Sequence, residues 1–385
     1  MKVVYAKKYL LPSSAANVLQ SISMCSAFAQ AGAEIVFFPG LKGITIEEGL
    51  NSYGLTKIDG MNPVSITGFH KGLYGLGFRL GILSKWFFTR NSFFYARDIK
   101  EAFMIAKLKR LGLVNHPFFY EMHEVLSIQN RGMKTGREKK FRELEKQVLE
   151  AIDGLIVINQ SLEEQVRSEY GYAGPILCEP MGYNPDIFYP RPDVDLDGPV
   201  TISYVGSLYE GKGVHNLVEA FRFLGPEFRL LIIGGTPAKE LEELKRRAAI
   251  ISNDGRISFL GQLPQKQLPE FLEQSQLVVI PQKSTLEFFS PIKLYETIGM
   301  ALPLVVTPLP IFKNCLKDCE NAVFAESSSP EDLAAAIKKC VYTPNLAHKI
   351  QEANRNLSSG FTWKQRASRI IEFMESVYSS KRGEE

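Results

Sequence analysis

Short apolar runs alternate with longer stretches of helical periodicity along almost the whole chain. Val3-Val4-Tyr5 reads as a strand, Ala15 to Ala31 as a helix and Glu34-Ile-Val-Phe-Phe38 as a second strand, which together make one β-α-β unit. Phe93-Phe-Tyr95, Phe118-Phe-Tyr120 and Leu155-Ile-Val-Ile158 have the look of further buried parallel strands, with helical patterns such as Glu101–Leu111 and Arg137–Ala151 between them. Such alternation predicts an α/β, doubly wound parallel sheet.

The rhythm breaks between Asn184 and Pro199, where Pro185, Pro190, Pro192 and Pro199 fall among residues with little apolar periodicity. It then restarts. Thr201–Val205, Arg229–Ile233, Ile257–Leu260, Leu277–Ile280 and Leu304–Val306 read as strands, and Val214–Leu224 as a helix. A last amphipathic helix covers Thr362–Tyr378. The expected layout is a Rossmann-like N-terminal, acceptor-binding domain over 1–188, a linker over 189–200, a second Rossmann-like domain over 201–361 and a closing helix over 362–380. Ligands of such sheets sit beyond the carboxyl ends of the strands, and two in tandem would hold two substrates across a cleft.

Composition narrows the class. A chain of 385 residues suits two domains, and 45% apolar with 23% charged residues argues for a folded chain rather than a disordered one. A net charge of +3 does not mark a nucleic-acid binder, so no nucleic-acid partner is expected. The charge is uneven, however: residues 1–112 hold 14 Lys+Arg against 6 Asp+Glu, and no acid occurs from Gly60 to Arg97. Five cysteines without a Cys-x-x-Cys pair suggest free thiols in a reducing compartment. No apolar run is long enough to span a bilayer, and Met1-Lys-Val-Val-Tyr5 opens like a strand, not a signal peptide. The expectation is a cytoplasmic protein, with room for a peripheral position at the inner face of the membrane.

Two segments carry candidate chemistry. Tyr204-Val-Gly-Ser-Leu-Tyr-Glu-Gly-Lys-Gly-Val214 takes a strand through a glycine loop into a helix. Gly206, Gly211 and Gly213 would let backbone amides approach a ligand, and Lys212 could meet a phosphate. The bland alternative is a tight turn with a solvated lysine. The second segment, Leu286-Glu-Phe-Phe-Ser-Pro-Ile-Lys-Leu-Tyr-Glu296, follows a strand and opens a helix at Ser290 and Pro291, where free amides favour an anion. Glu296 stands three residues after Lys293 and could accept two hydroxyls, as a ribose offers; the alternative is an ordinary Lys–Glu helix pair.

In this order, the Gly206-x-Leu-x-x-x-Lys212-Gly loop, the Ile-Ile-Gly-Gly235 strand end, Phe259-Leu-Gly261 and Ser290-Pro-x-Lys-Leu-x-Glu296 resemble the C-terminal half of the GT-B glycosyltransferases of family 4, or glycosyltransferase group 1. Pro12-Ser-Ser-Ala-Ala-Asn17, Tyr120-Glu-Met-His-Glu124 and Glu179-Pro-Met-Gly-Tyr-Asn-Pro-Asp-Ile-Phe188 are similar to N-terminal segments of that family. The resemblance implies two Rossmann-like domains facing across a cleft and a hexosyltransferase-type enzyme. It implies transfer of a sugar from a nucleoside-diphosphate sugar, with UDP or GDP as the nucleotide, to a glycan or lipid-linked acceptor. Anomeric configuration would be retained, with no metal and no cofactor. By the same resemblance Lys212 and the amides of Gly206 and Ser207 would hold the donor diphosphate and Glu296 the ribose. Ser290, Pro291, Lys293 and Leu294 would line the diphosphate and base, and Gly234 and Gly235 would border the base. His123 would sit near the reacting sugar. The catalytic candidates are His123, Lys212, Lys293 and Glu287.

Two positions depart from the family pattern. Ser207 stands where many members have Arg, and Lys293 could restore that cation. Phe288 stands where many have Glu, with Glu287 one residue away. A sugar-nucleotide epimerase of the same fold and a silent sugar-nucleotide binder therefore stay open. A dinucleotide oxidoreductase is disfavoured, because no Gly-x-Gly-x-x-Gly follows the first strand. Asp193, Asp195 and Asp197 make Asp-x-Asp matches in the proline-rich linker, where a solvated role is expected rather than a metal. From His70 to Phe94, Lys71, Arg79, Lys85 and Arg90 alternate with apolar residues, a pattern open to contact with an anionic membrane or to a buried helix with a polar edge. Arg131–Lys146 reads as a solvated basic face.

Overall fold

The computed structural model describes all residues except 14, 66–70, 113–114, 133–135, 253, 284–291 and 384–385, and leaves out the side chains of 71–73 and 383. The chain divides into two compact units, Met1–Met181 with Trp363–Glu385, and Gly182–Thr362.

The first unit runs β1 (Lys2–Leu11), α1 (Ala16–Gln30), β2 (Glu34–Leu41), α2 (Ile46–Asn51), β3 (Met61–Pro63), α3 (Lys71–Phe88) and β4 (Ser92–Ala96). It continues with α4 (Ile99–Arg110), β5 (Phe118–Met122), α5 (Leu126–Gln129), α6 (Arg137–Leu149), β6 (Gly154–Val157), α7 (Gln160–Tyr170) and β7 (Ile176–Cys178). The strands form one parallel sheet in the order β3-β2-β1-β4-β5-β6-β7. Every residue of β4, β5 and β6 is buried, which is why these strands read as unbroken apolar runs and not as alternation.

The second unit holds β8 (Val200–Val205), α8 (Val214–Ala220), β9 (Phe228–Ile233), α9 (Ala238–Ile251), β10 (Ile257–Gly261), α10 (Leu268–Leu272) and β11 (Leu277–Ile280). After these come α11 (Ile292–Gly299), β12 (Leu304–Val306), α12 (Pro310–Lys313), β13 (Val323–Phe324), α13 (Pro330–Tyr342) and α14 (Leu346–Ser358). Its sheet has the order β10-β9-β8-β11-β12-β13. In both sheets the order reverses beside the first strand, between β1 and β4 and between β8 and β11, and there the strand ends open a crevice suited to a ligand.

Three strands escape the sequence pattern. β3, β7 and β13 are edge strands of two or three residues, too short to show a period. The unit boundary also differs from the sequence expectation, falling at 181/182 and not at 188. The proline-rich stretch is not a free linker but is fastened to α14. Gln351 accepts from Val194 N at 3.0 Å and donates to Pro192 O at 2.7 Å, while Arg355 donates to Arg191 O and Asp193.

The closing helix α15 (Trp363–Gly383) belongs to the first unit. Its Phe373 and Tyr378 rings pack edge-on against Phe119 and Phe93. Arg366, wholly buried, donates to the equally buried Glu121 at 2.8 Å, and Arg369 holds Glu179 at 2.7 Å. Removing one member of a buried pair leaves the other charge unmet. We therefore expect Arg366→Ala to destabilise this unit by about 3–5 kcal/mol, measured by urea unfolding, and the neutral pair Arg366→Met with Glu121→Gln to recover most of that loss.

Candidate functional site

The glycine loop of the second unit lies at the sheet's switch point. Gly206 N donates to Ile233 O at 3.0 Å and Leu208 N to Thr236 O at 2.7 Å, so the loops after β8 and β9 are zipped together. A Cβ on Gly234 would stand 2.0 Å from Gly206 O, and one on Gly213 would stand 1.7 Å from Pro281 O. Gly213 also has φ +71, a left-handed conformation that costs glycine little. Lys283 N donates to Gly211 O at 2.9 Å, tying the loop after β11 to the same turn. Three strand ends thus meet backbone to backbone, around Gly206, Ser207 and Lys212.

Burial lowers the Lys212 ammonium to about 8, so it is mostly charged at neutral pH and releases its proton more readily than a surface lysine. Glu296, on α11, is buried and has both oxygens engaged: Lys293 Nζ lies 2.6 Å from one and Gln265 Nε2 donates to the other at 2.9 Å. The Lys–Glu helix pair is therefore present in this structure. A carboxylate has about four lone-pair positions, so two hydroxyl donors could still be accommodated. Gln265 was not foreseen, since it lies 31 residues away in sequence. Leu294 is a wholly buried core residue, which leaves its backbone as the part a ligand could meet. Glu287, Ser290 and Pro291 lie outside the described residues.

In the first unit His123 follows the end of β5. Its Nε2 lies 2.8 Å from Glu121 Oε1, 3.0 Å from Gln20 Nε2 and 3.1 Å from Arg97 Nε. Glu121 also accepts from Gln20, Tyr95 and Arg366. Burial would raise the Glu121 carboxyl, but the Arg366 guanidinium and the His123 contact outweigh it and hold the group far below the usual range. Burial, helped by Arg97, lowers His123 to about 4, so the imidazole is neutral at physiological pH. Sequence reasoning found His123 but missed its neighbours. The signal was present for Glu121, because residues two apart on a strand share a face. Gln20, Arg97 and Arg366 gave none.

The Asp-x-Asp residues have protein partners in the proline-rich stretch. Asp193 pairs with Arg355, and Asp195 accepts from the backbone of Asp197. Among the described residues no three His, Cys, Asp or Glu side chains gather in a way that could hold a metal ion.

Residues 191–357 match the family model described as glycosyl transferases group 1. Mannosylfructose-phosphate synthase of Agrobacterium fabrum is 26% identical over 215 residues, covering 51% of this chain and 46% of that protein. The chain thus spans about half the length of that relative. Among solved structures, sucrose-phosphate synthase of Thermosynechococcus elongatus superimposes with a TM-score of 0.76 at 16% identity, covering 98% of this chain and 99% of that one. Anabaena HepE in complex with UDP-glucose gives 0.72 at 15% identity, covering 98% and 100%. Both likenesses establish the fold, two Rossmann-like units of the GT-B class.

The His123 environment sets a pH dependence. The unfolded chain binds a proton at this residue below about 6.5 and the folded one only below about 4, so stability present above 6.5 is lost as pH falls between these values. Thermal melting from neutral pH down to pH 4 should show this slope, and His123→Gln should flatten it.

Proposed function

We propose a function from one premise: the chain carries a glycosyl transferases group 1 domain at residues 191–357 within a GT-B fold. The protein transfers a sugar from a nucleoside-diphosphate sugar to an acceptor hydroxyl, with retention of configuration and without a metal ion. The observation that carries this reading is the backbone convergence around Gly206, Gly213 and Gly234, with the half-buried Lys212 in the same loop. At Gly213 and Gly234 such a cradle has no room for a side chain.

As the bond from sugar to diphosphate breaks, negative charge grows on the leaving group. Lys212, the amide of Ser207 and Lys293 stabilise it, with Ser290 and Pro291 assigned to the same task by the sequence resemblance alone, whereas the Gly206 amide expected to join them is spent on Ile233 O. Glu296 accepts the ribose hydroxyls, with Gln265 and Lys293 orienting it. Leu294 lines the diphosphate, and Gly234 and Gly235 border the base. The acceptor hydroxyl attacks on the face that the diphosphate leaves, and a phosphate oxygen takes its proton. Neutral His123 hydrogen-bonds the reacting sugar without adding charge, and Glu287 binds a sugar hydroxyl. The UDP-glucose in the HepE complex supports a uridine donor as the first to test. The acceptor is a glycan or a lipid-linked intermediate, met in the cytoplasm at the inner face of a membrane. In support, α3 presents exposed apolar residues, while no helix among the described residues is long and apolar enough to cross a bilayer.

Binding of nucleoside diphosphates with EDTA present tests the donor site. UDP should raise the melting temperature of the wild type, and Glu296→Ala should weaken binding by about 10- to 100-fold, the worth of hydrogen bonds to a charged group. No shift with any nucleotide, or binding only with added Mg²⁺, overturns the reading. A product anomer opposite to the donor's overturns retention, and binding without transfer to any acceptor leaves a silent binder.

Lys212 gives a second test. Affinity for UDP should fall as pH rises through about 8, where the ammonium loses its proton, and Lys212→Gln should bind weakly with no such dependence. Isothermal titration from pH 6.5 to 9.5 reads both, roughly a unit and a half on each side of the midpoint.

A further inference from the structure

The first unit contains a cavity of about 520 Å³ bounded by α3, α4 and α6. Arg79, Lys100, Arg137 and Lys140 line it, together with Phe103, Phe141 and Leu144. No acid lines it, and none of the four cations has a hydrogen-bond or ion-pair partner among the described residues. Some of their neighbours on α4 and α6 are paired instead. Lys109 pairs with Asp153, Arg110 with Glu150 and Arg142 with Glu138 and Glu169. Four cations from three helices converge on the cavity with no acid among them; Lys85, Lys107, Lys139 and Lys146 on the same helices are also without an ion pair among the described residues, but they do not line it.

A second observation lies on α3. Tyr74, Phe78, Ile82 and Trp86 bury one side of this helix in the core. The opposite side is also apolar: Leu76, Leu80 and Phe87 are 54%, 56% and 40% exposed, at the i, i+4, i+11 spacing of one stripe, and Phe88 beyond them is 86% exposed. A helix apolar on its outer side needs an apolar medium there, and Arg79 stands between that stripe and the cavity.

We propose that this cavity is a headgroup site for an anionic phospholipid, with α3 lying against the acyl boundary of the same leaflet. The guanidinium forks of Arg79 and Arg137 suit phosphate oxygens, Lys100 and Lys140 add point charge, and the aromatic floor takes the glycerol and upper chain carbons. A soluble phosphate would use the cations but would leave the exposed leucines and phenylalanines unexplained. The site deepens the membrane-contact reading above and rests on it, yet it is independent of the transfer chemistry. It draws on Lys100, Arg137 and Lys140, which lie outside the 70–94 stretch that the sequence marks.

Sedimentation of the full chain with vesicles tests the site, using phosphatidylcholine alone and equal parts phosphatidylcholine and phosphatidylglycerol. Wild type should bind only the mixed vesicles. The double substitution Lys100→Gln with Lys140→Gln should weaken that binding roughly thirtyfold, and Leu80→Ser with Phe88→Ser should weaken it independently. All four residues are exposed or lie at the cavity edge, so melting temperature and UDP binding should match wild type, which separates failure here from failure of the donor site. Mixed-vesicle binding unchanged by the charge substitutions overturns the cavity as the site while leaving membrane contact standing. Absence of wild-type binding to mixed vesicles overturns both. Thermal protection by glycerol phosphate, with vesicle binding insensitive to the apolar substitutions, overturns the lipid in favour of a soluble phosphate.

Discussion

A carboxylate with no access to water, Glu121, governs the first unit. An ion in such a place costs several kcal/mol unless a cation meets it and its remaining lone pairs are filled. The cation is Arg366, 245 residues away on the closing helix, and the other bonds come from Gln20, Tyr95 and His123. The first 181 residues therefore do not complete this unit by themselves. The same network holds the His123 ring against Glu121 and Arg97, while burial and Arg97 keep it neutral against the pull of Glu121, so a structural ion pair and a candidate reacting group belong to one device.

The second unit depends on a different constraint, the approach of backbone to backbone. Where Gly206 meets Gly234 and Gly213 meets Pro281, no Cβ fits. Loops from the ends of β8, β9 and β11 can then share one crevice, bound together by Gly206 N to Ile233 O, Leu208 N to Thr236 O and Lys283 N to Gly211 O. Residues of this kind are costly for folding, since glycine loses the most backbone freedom, and the large core beneath them offsets that cost.

The two units divide the functional argument. The family match covers 191–357, the unit with the glycine cradle and Glu296. The remainder of the chain carries the uneven charge, the apolar outer stripe of α3 and the cation-lined cavity.

The sequence by itself determined the alternation of strands and helices, the restart near residue 200 and the places where glycines and a lysine follow a strand. These are local properties: a buried parallel strand must be apolar, and a tight approach must be glycine. Strand limits such as Val200–Val205 and Leu277–Ile280 follow within a residue of the pattern. Only the tertiary structure decided which charges meet. Glu121 found Arg366, Glu296 found Gln265 as well as Lys293, and the prolines near 190 were fastened to α14. It likewise paired Lys109, Arg110 and Arg142 with acids and set Lys100, Arg137 and Lys140 around the cavity. Ion pairing depends on distance in space, and the spacing of charges along a chain carries no record of it once the partners sit on different elements.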